Sequence, residues 1–397
     1  MSLGIAVQNA SIAFVSTYPP TVCGLASFTA SLVDAVACDR RSRVGLGVVS
    51  LAGGPTAAPT LDVAFHHRVG NACSLENATR VLNSYDTVSI QHEFGIFGGP
   101  DGDEAVDLVS GLTVPTAVTF HTVLDHPTEH QRMIISRLAE HADRMVVMSE
   151  TASQRLMLRY GVDAERIEVI PHGADELFAG PSLVTGERPL VLTWGLIGPG
   201  KGLESVIEAF ADLVDLDPPP RYLIAGATHP NVLESAGESY RDGLVSLVHR
   251  YGLEELVEFD DQYLDRERLA LMVRSADLVV LPYASAEQVT SGVLVEAIAA
   301  SKPVIATRFP HAVELLSSGA GITVPHSDPA ALSVALRRLL TDRRLMSRMG
   351  RNAHRLANGW YWPTIGRRFG TMMSDMAATN RFVGSPTVLP EVIHVAG

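Results

Sequence analysis

In Leu278-Val-Val-Leu281-Pro-Tyr-Ala-Ser-Ala-Glu287-Gln288-Val-Thr290-Ser291-Gly292-Val293-Leu294-Val-Glu296-Ala-Ile-Ala-Ala-Ser-Lys302-Pro303-Val304-Ile-Ala306, four aliphatic residues run into a polar loop. Gly292 then opens an apolar helical stretch, and a second β-branched run follows Pro303. Strand, helix and strand in such close succession form a βαβ unit, whose two strands lie parallel. The pattern repeats outward in both directions. Strands are predicted at 12–16, 44–50, 63–66, 87–91, 116–120, 145–148 and 167–170 in the first half. In the second half they fall at 190–194, 222–225, 257–259, 278–281, 304–306 and 322–324, with helical spacing between many of them. The fold class is α/β, with two Rossmann-like, doubly wound sheets facing a cleft.

The segment 178–189 is punctuated by Gly and Pro without periodicity and marks the join. The first domain is expected at 1–180 and the second at 187–360. Three helical segments follow Ala330; the last, at 361–378, is taken to return to the first domain, and 380–397 to be a loose tail.

The 397 residues carry 31 Lys+Arg against 44 Asp+Glu, a formal charge of -13, so the basic excess of a nucleic-acid binder is missing. The sequence shows no basic run suited to an anionic bilayer, no apolar span of membrane length and no signal-peptide pattern. Three cysteines without metal-ligand spacing suit a reducing compartment, and a cytoplasmic location is expected. Asn77-Ala-Thr79 is formally a glycosylation acceptor and is read as an ordinary surface triplet.

Several motifs imitate chemistry. Gly195-Leu-Ile-Gly-Pro-Gly200-Lys201-Gly202 follows the phosphate-binding loop pattern up to its last letter, where Gly202 replaces the Ser or Thr that would hold magnesium. Its glycine-rich turn into a helix still offers backbone N–H groups and a positive dipole end to a phosphate, with Lys201 as a point charge. His126-Pro-Thr-Glu-His130 spells an inverted zinc-protease motif, but Pro127 suits a first helical position and makes His126 an N-cap. Asp101-Gly-Asp103 is read as capping the helix that Glu104 begins. A dinucleotide fingerprint after the first strand is missing.

Ligands of such sheets bind beyond the carboxyl ends of the strands. After the first strand, Tyr18-Pro-Pro-Thr-Val-Cys-Gly24 opens the first helix; a glycine there either serves the turn or leaves backbone N–H groups open to an anion. His92 and Glu93 follow the fourth strand and are assigned to an acceptor, and His121 follows the fifth. In the second domain the loop from Glu287 to Gly292 suits sugar hydroxyls and a diphosphate together, and Glu296 lies one turn into the helix, where a carboxylate can accept two ribose hydroxyls.

These residues resemble the retaining nucleotide-sugar glycosyltransferases of the GT-B fold, in the glycosyltransferase family 4-like, mannosyltransferase branch. The likeness runs from Tyr18-Pro-Pro to Trp362 and rests on the Gly24 loop, Phe120-His121-Thr122, Val169-Ile-Pro-His-Gly-Ala-Asp175, Gly200-Lys201-Gly202, Gly226-Ala-Thr-His-Pro230 with Tyr240-Arg241, Pro282-Tyr283 and Glu296-Ala-Ile-Ala-Ala-Ser-Lys-Pro. It implies that Lys201 and Gly200 meet the donor diphosphate, Glu296 the ribose, and Thr290, Ser291, Gly292, Val293 and Leu294 the donor sugar and phosphates. Gly24 would meet the phosphate from the opposite domain and His121 the transferred sugar. The catalytic set is then His121, Lys201 and Gln288, with no metal and no cofactor.

Two departures stand out: Leu196 where the family has an arginine, and Gln288 where it has the first of two glutamates eight residues apart. Whether Glu287 or Gln288 faces the sugar stays open. The resemblance favours transfer of a hexose, mannose from GDP-mannose, to a hydroxyl of a soluble oligosaccharide or small glycoside. The alternatives are a catalytically weakened sugar-nucleotide binding protein and a P-loop-like phosphotransferase.

Overall fold

Strands buried on both faces must be aliphatic throughout, and Ile12, Ala13, Phe14 and Val15 are completely buried. In the computed structural model, which describes residues 10–38, 45–52, 63–181, 183, 186–262 and 264–383, such runs build two all-parallel sheets. The first holds β1 (Ser11–Ser16), β2 (Gly45–Ala52), β3 (Val63–Arg68), β4 (Thr87–His92), β5 (Thr116–Phe120), β6 (Arg144–Val147) and β7 (Ile167–Val169). Its order is β3-β2-β1-β4-β5-β6-β7. The second holds β8 (Leu190–Trp194), β9 (Arg221–Ala225), β10 (Val257–Asp260), β11 (Leu278–Leu281), β12 (Val304–Thr307) and β13 (Gly321–Val324), in the order β10-β9-β8-β11-β12-β13. Every strand foreseen forms, with ends moved by no more than two residues; the foreseen start at Val44 lies outside the described residues.

Both sheets reverse their winding once, between β1 and β4 and between β8 and β11, where Phe14 pairs with Ser89 and Val191 with Leu278. Such switch points leave a crevice at the carboxyl ends of the strands. The loops that open there are those after β1, β4, β8 and β11, which carry Gly24, Glu93, Lys201 and Gln288.

The chain leaves the first sheet earlier than the punctuated segment suggested. Ile170 still packs with Phe14 and Phe28, whereas Ala174 and Phe178 already belong to the second core, so the crossing lies between 170 and 174. The return crossing is bound to it: Ala174 N–H donates to Trp360 O at 2.8 Å and Trp362 N–H to Ala174 O at 3.0 Å. From there the last helix, Trp362–Val383, buries Trp362, Ile365, Phe369 and Met373 in the first core. It continues past 378, so 380–383 are helical; the remainder of the foreseen tail lies outside the described residues.

This helix meets the helix Gly24–Ala37 with no room to spare. A Cβ on Gly366 would stand 2.4 Å from the Ala35 carbonyl carbon. Gly366→Ala should force the two helices apart and cost about 1–3 kcal/mol, the range for overpacking. Calorimetry should show a lowered unfolding midpoint; an unchanged midpoint would contradict this packing.

Candidate active site

The loop after β8 is shaped by its glycines. Gly200 and Gly202 have φ of +86° and +68°, and a Cβ on Gly202 would lie 2.0 Å from the Pro282 carbonyl oxygen. Serine or threonine cannot stand there, so the magnesium ligand of a phosphate-binding loop is excluded by sterics as well as by sequence. Between these glycines, Lys201 places Nζ 5.0 Å from the Tyr283 ring centroid, and burial lowers its pKa. No carboxylate among the described residues pairs with it. An ammonium held over a ring beside a helix start is ready for an anion.

The loop after β11 ends at Ser291, whose Oγ caps the helix Gly292–Ala299 through Leu294 N–H at 3.2 Å. Ser291 N–H donates to His311 Nδ1 at 2.9 Å, and burial holds the His311 pKa down at about 3, so that nitrogen keeps its lone pair. Gly292 is required for close approach: a Cβ there would meet His172 Nε2 at 2.9 Å. Val293 stands close to Gly195, and Leu294 is buried in the second core. Glu296 accepts from Trp194 Nε1 at 3.1 Å, and burial pushes its pKa up to about 7. The carboxyl group is thus poised between its two charge states near neutral pH.

Glu287 is engaged elsewhere. Its Oε2 accepts from Arg155 at 2.8 Å and from Asp125 N–H at 2.8 Å, both in the first domain. Beside it Ser149 Oγ donates to Val289 O at 2.8 Å, and Val289 is 1% exposed within the first core. Glu314 accepts from Glu150 N–H and Thr151 N–H, at the start of helix Glu150–Tyr160. Gln288 points its amide inward along its own loop, donating to Thr290 O at 3.1 Å. Glu287 therefore fastens the domains, and the question between it and Gln288 turns on a carboxylate already spent on Arg155.

From the first domain, Gly24 stands at the start of its helix, and a Cβ there would meet nothing within 4 Å. The turn does not need this glycine; open space lies in front of it. His121 Nε2 donates to Gln91 Oε1 at 2.9 Å, because the Gln91 amide nitrogen is itself bonded to Ser89 Oγ at 3.1 Å. Burial, then His172 and His92, lower the His121 pKa to about 3, and the Phe28 ring meets it edge-on at 4.7 Å. Glu93 accepts from Thr122 Oγ1 at 2.7 Å, and burial raises its pKa.

His92 does not fit its expected place on the acceptor side. It is 0% exposed, with its ring among Phe94, Phe97 and Phe120, because the fourth strand's last side chain faces the core. Two other readings also change. Thr128, not His126, caps helix Glu129–His141, forming a capping box with Gln131. His126 pairs with Asp125, whereas His130 contacts Asp101 and Asp103, so the two histidines of the zinc-like motif face different partners. Asp103 occupies the N-cap position of helix Glu104–Ser110 without a side-chain cap bond, and Asp101 receives His130 and Gln131. Sequence reasoning gave no part to Arg155, Glu314 or His311. Only Tyr283, in the Pro-Tyr pair after β11, and His172, in the segment before the crossing, carried a local signal.

Comparison with known proteins places this architecture. Residues 176–356 match the family model "Glycosyl transferases group 1", and residues 67–176 match "Glycosyltransferase Family 4". The D-inositol 3-phosphate glycosyltransferase of Nocardia farcinica is 31% identical over 296 residues, 68% of this chain and 63% of that protein. The alpha-D-kanosaminyltransferase of Streptomyces kanamyceticus is 26% identical over 61% of this chain and 65% of its own length. The chain thus spans somewhat less than two thirds of these relatives. Sucrose-phosphate synthase from Thermosynechococcus elongatus superposes with a TM-score of 0.75 at 19% identity, covering 94% of this chain and 100% of that one. Anabaena HepE in complex with UDP gives 0.70 at 19% identity, covering 92% and 100%. The two sheets and their crossing helix are a GT-B fold. Both halves are thus matched by glycosyltransferase models across 67–356, the second by group 1 and the first by family 4.

Arg155 is little exposed and also donates to Val123 O at 2.7 Å, so deleting its carboxylate partner leaves a cation half satisfied. Glu287→Ala should destabilise the chain by about 1–2 kcal/mol, reduced from the fully buried case because Glu287 retains some exposure. Chemical denaturation of the two proteins measures it, and equal midpoints would mean that the ion pair does not hold the domains.

Proposed function

We propose that this chain is a retaining, metal-independent glycosyltransferase that moves a hexose from a nucleotide-diphosphate sugar to an acceptor hydroxyl in the cleft. The observation that carries it is Lys201, a partly buried ammonium with no carboxylate partner among the described residues, held over the ring of Tyr283, whose hydroxyl meets Ser291 at the N-cap of helix Gly292–Ala299 and feels the charge of Glu296. The second domain holds the donor: Glu296 takes the ribose hydroxyls, Lys201 and the helix start take the diphosphate, and Gln288 and Thr290 take the sugar. Gly24 adds backbone N–H groups from the opposite domain, with His121 near the transferred sugar. As the bond from the anomeric carbon to the diphosphate oxygen breaks, negative charge grows where these donors already point, which is electrostatic catalysis. The acceptor oxygen bonds to the anomeric carbon on the face that the diphosphate leaves, and its proton passes to a diphosphate oxygen. Leu196 and Gln288 leave room for a second reading, a protein that binds sugar nucleotides without transfer.

GDP-mannose is the donor favoured by the resemblance to mannosyltransferases, and a soluble oligosaccharide or small glycoside the acceptor. HepE was solved with UDP and the relatives include D-inositol 3-phosphate glycosyltransferases, so uridine-linked hexoses and an inositol phosphate acceptor are the competitors. Thermal-shift measurement with GDP, UDP and ADP separates the donors, since a ligand that binds the folded state raises the midpoint. No helix among the described residues is long and apolar enough to cross a membrane.

Lys201→Ala should weaken the stabilising nucleotide by about 1.5–3 kcal/mol, the range for hydrogen bonds to a charged group. Chelator in the same titration should leave wild-type affinity in place. Undiminished affinity in the variant, or loss in chelator that magnesium restores, would defeat this assignment.

Glu296 supplies a pH signature. A carboxyl group with a pKa of about 7 is protonated below that pH, and the ribose hydroxyls need the anion as acceptor. Nucleotide affinity should therefore rise with pH, by up to about tenfold per unit below pH 7, and level off above it. Glu296→Gln should flatten the profile; a slope that persists in this variant would assign the titration to another group.

A further inference from the structure

At the opposite edge of the second sheet, where β11 and β12 begin, lies a cavity of about 550 Å³, within the range of small-molecule sites. Asp277, immediately before β11, and Lys302, two residues before β12, help to line it. Lys302 is 1% exposed and donates to Arg274 O at 2.7 Å, which fixes a cation in the wall. Its pKa, lowered to about 8 by burial, leaves it mostly charged at neutral pH. Asp277, the acidic residue of the lining, already accepts from Leu190 N–H at 2.8 Å.

The opposing wall is the helix Arg343–Ala357. Leu345, Met349, Ala353 and Ala357 are its buried face. Arg344, Arg348, Arg351 and Arg355 recur at spacings of four, three and four on the other side, and the helix contains neither Asp nor Glu. All four are exposed, and none forms an ion pair among the described residues. For a chain of net charge -13 this is a concentrated reversal of sign. Arg351, His354 and Arg355 border the cavity, and Ser301, also at its border, holds a φ of +60° that ordinarily favours glycine. Its hydroxyl lies 3.3 Å from His354 Nδ1.

We propose that this cavity is a binding site for a small phosphorylated ligand, separate from the cleft, with the guanidinium groups of Arg351 and Arg355 on the phosphate oxygens and Ser301 and His354 beside them. Guanidinium groups one helical turn apart match an anion with several oxygens. Arg344 and Arg348, further along the same face, draw the anion in from solvent. The cavity has walls on two sides, one of which includes Gly180 and Pro181 of the segment leading to β8, so it suits a small molecule better than a flat polyanion surface.

Inorganic pyrophosphate is the probe, titrated into the full chain by calorimetry in low salt, with wild type, Lys201→Ala, the double variant Arg351→Ala and Arg355→Ala, and R351E with R355E. Both double variants should weaken pyrophosphate binding by roughly tenfold or more, the charge-reversed pair further, because the lost contacts are charge-assisted. The Lys201→Ala protein should retain this binding, whatever becomes of nucleotide in the cleft. Equal binding by the double variants and wild type, or loss in Lys201→Ala alone, would overturn the proposal. So would a wild type that ignores pyrophosphate yet sediments with phosphatidylglycerol vesicles through these arginines, since the ligand would then be a membrane surface.

Discussion

Both crossings of the chain between the domains pass near Gly173. A Cβ at that position would fall 2.2 Å from the Trp362 indole, so only a glycine lets the outgoing chain lie against the returning one. On this contact depend the backbone bridge of Ala174 with Tyr361 and the turn that sends the last helix into the first core. Trp362 in turn packs 5.7 Å from the His172 ring, and His172 closes on Gly292 at the start of the donor helix. A single missing methyl thus sets the spacing of crossing, last helix and donor loop together.

A second set of contacts, on the far side of the donor loop, has a different physical character. Arg155 with Glu287 and Glu314 with the start of helix Glu150–Tyr160 are polar and partly open to solvent, so each adds no more than about 1–2 kcal/mol. They act on an interface already set by packing at Gly173 and Gly292. Their main effect is on placement, since a carboxylate drawn to Arg155 leaves Gln288 as the adjoining polar side chain on the loop.

The sheets were legible because fully buried parallel strands write themselves as aliphatic runs; 116–120, 190–194 and 278–281 were read to the residue. The loops at the switch points were legible for a related reason, since Gly200 and Gly202, both at positive φ, mark a turn that side chains seldom adopt. What escaped was whatever joins distant residues. Arg155 and Glu287 are 132 positions apart and belong to different domains, so no spacing announces their pairing. His92 failed for a subtler cause: a strand end says that a side chain is near the crevice, but the alternation of faces decides whether it enters it. The His126 cap failed because Thr128, two residues on, offers a better oxygen and a partner in Gln131.

Val289 has a bearing on how separable the two halves are. It is numbered with the second domain and sits on the loop that carries Gln288, yet its side chain completes the hydrophobic core of the first, with Ser149 bonded to its carbonyl. A first domain severed from the second would keep its sheet but carry an open socket where that valine sits. A second domain grafted onto a foreign partner would present an apolar side chain with nowhere to go. The halves of this chain are consequently not interchangeable modules, and any change in one that reshapes the socket must be answered by the tip of a loop in the other.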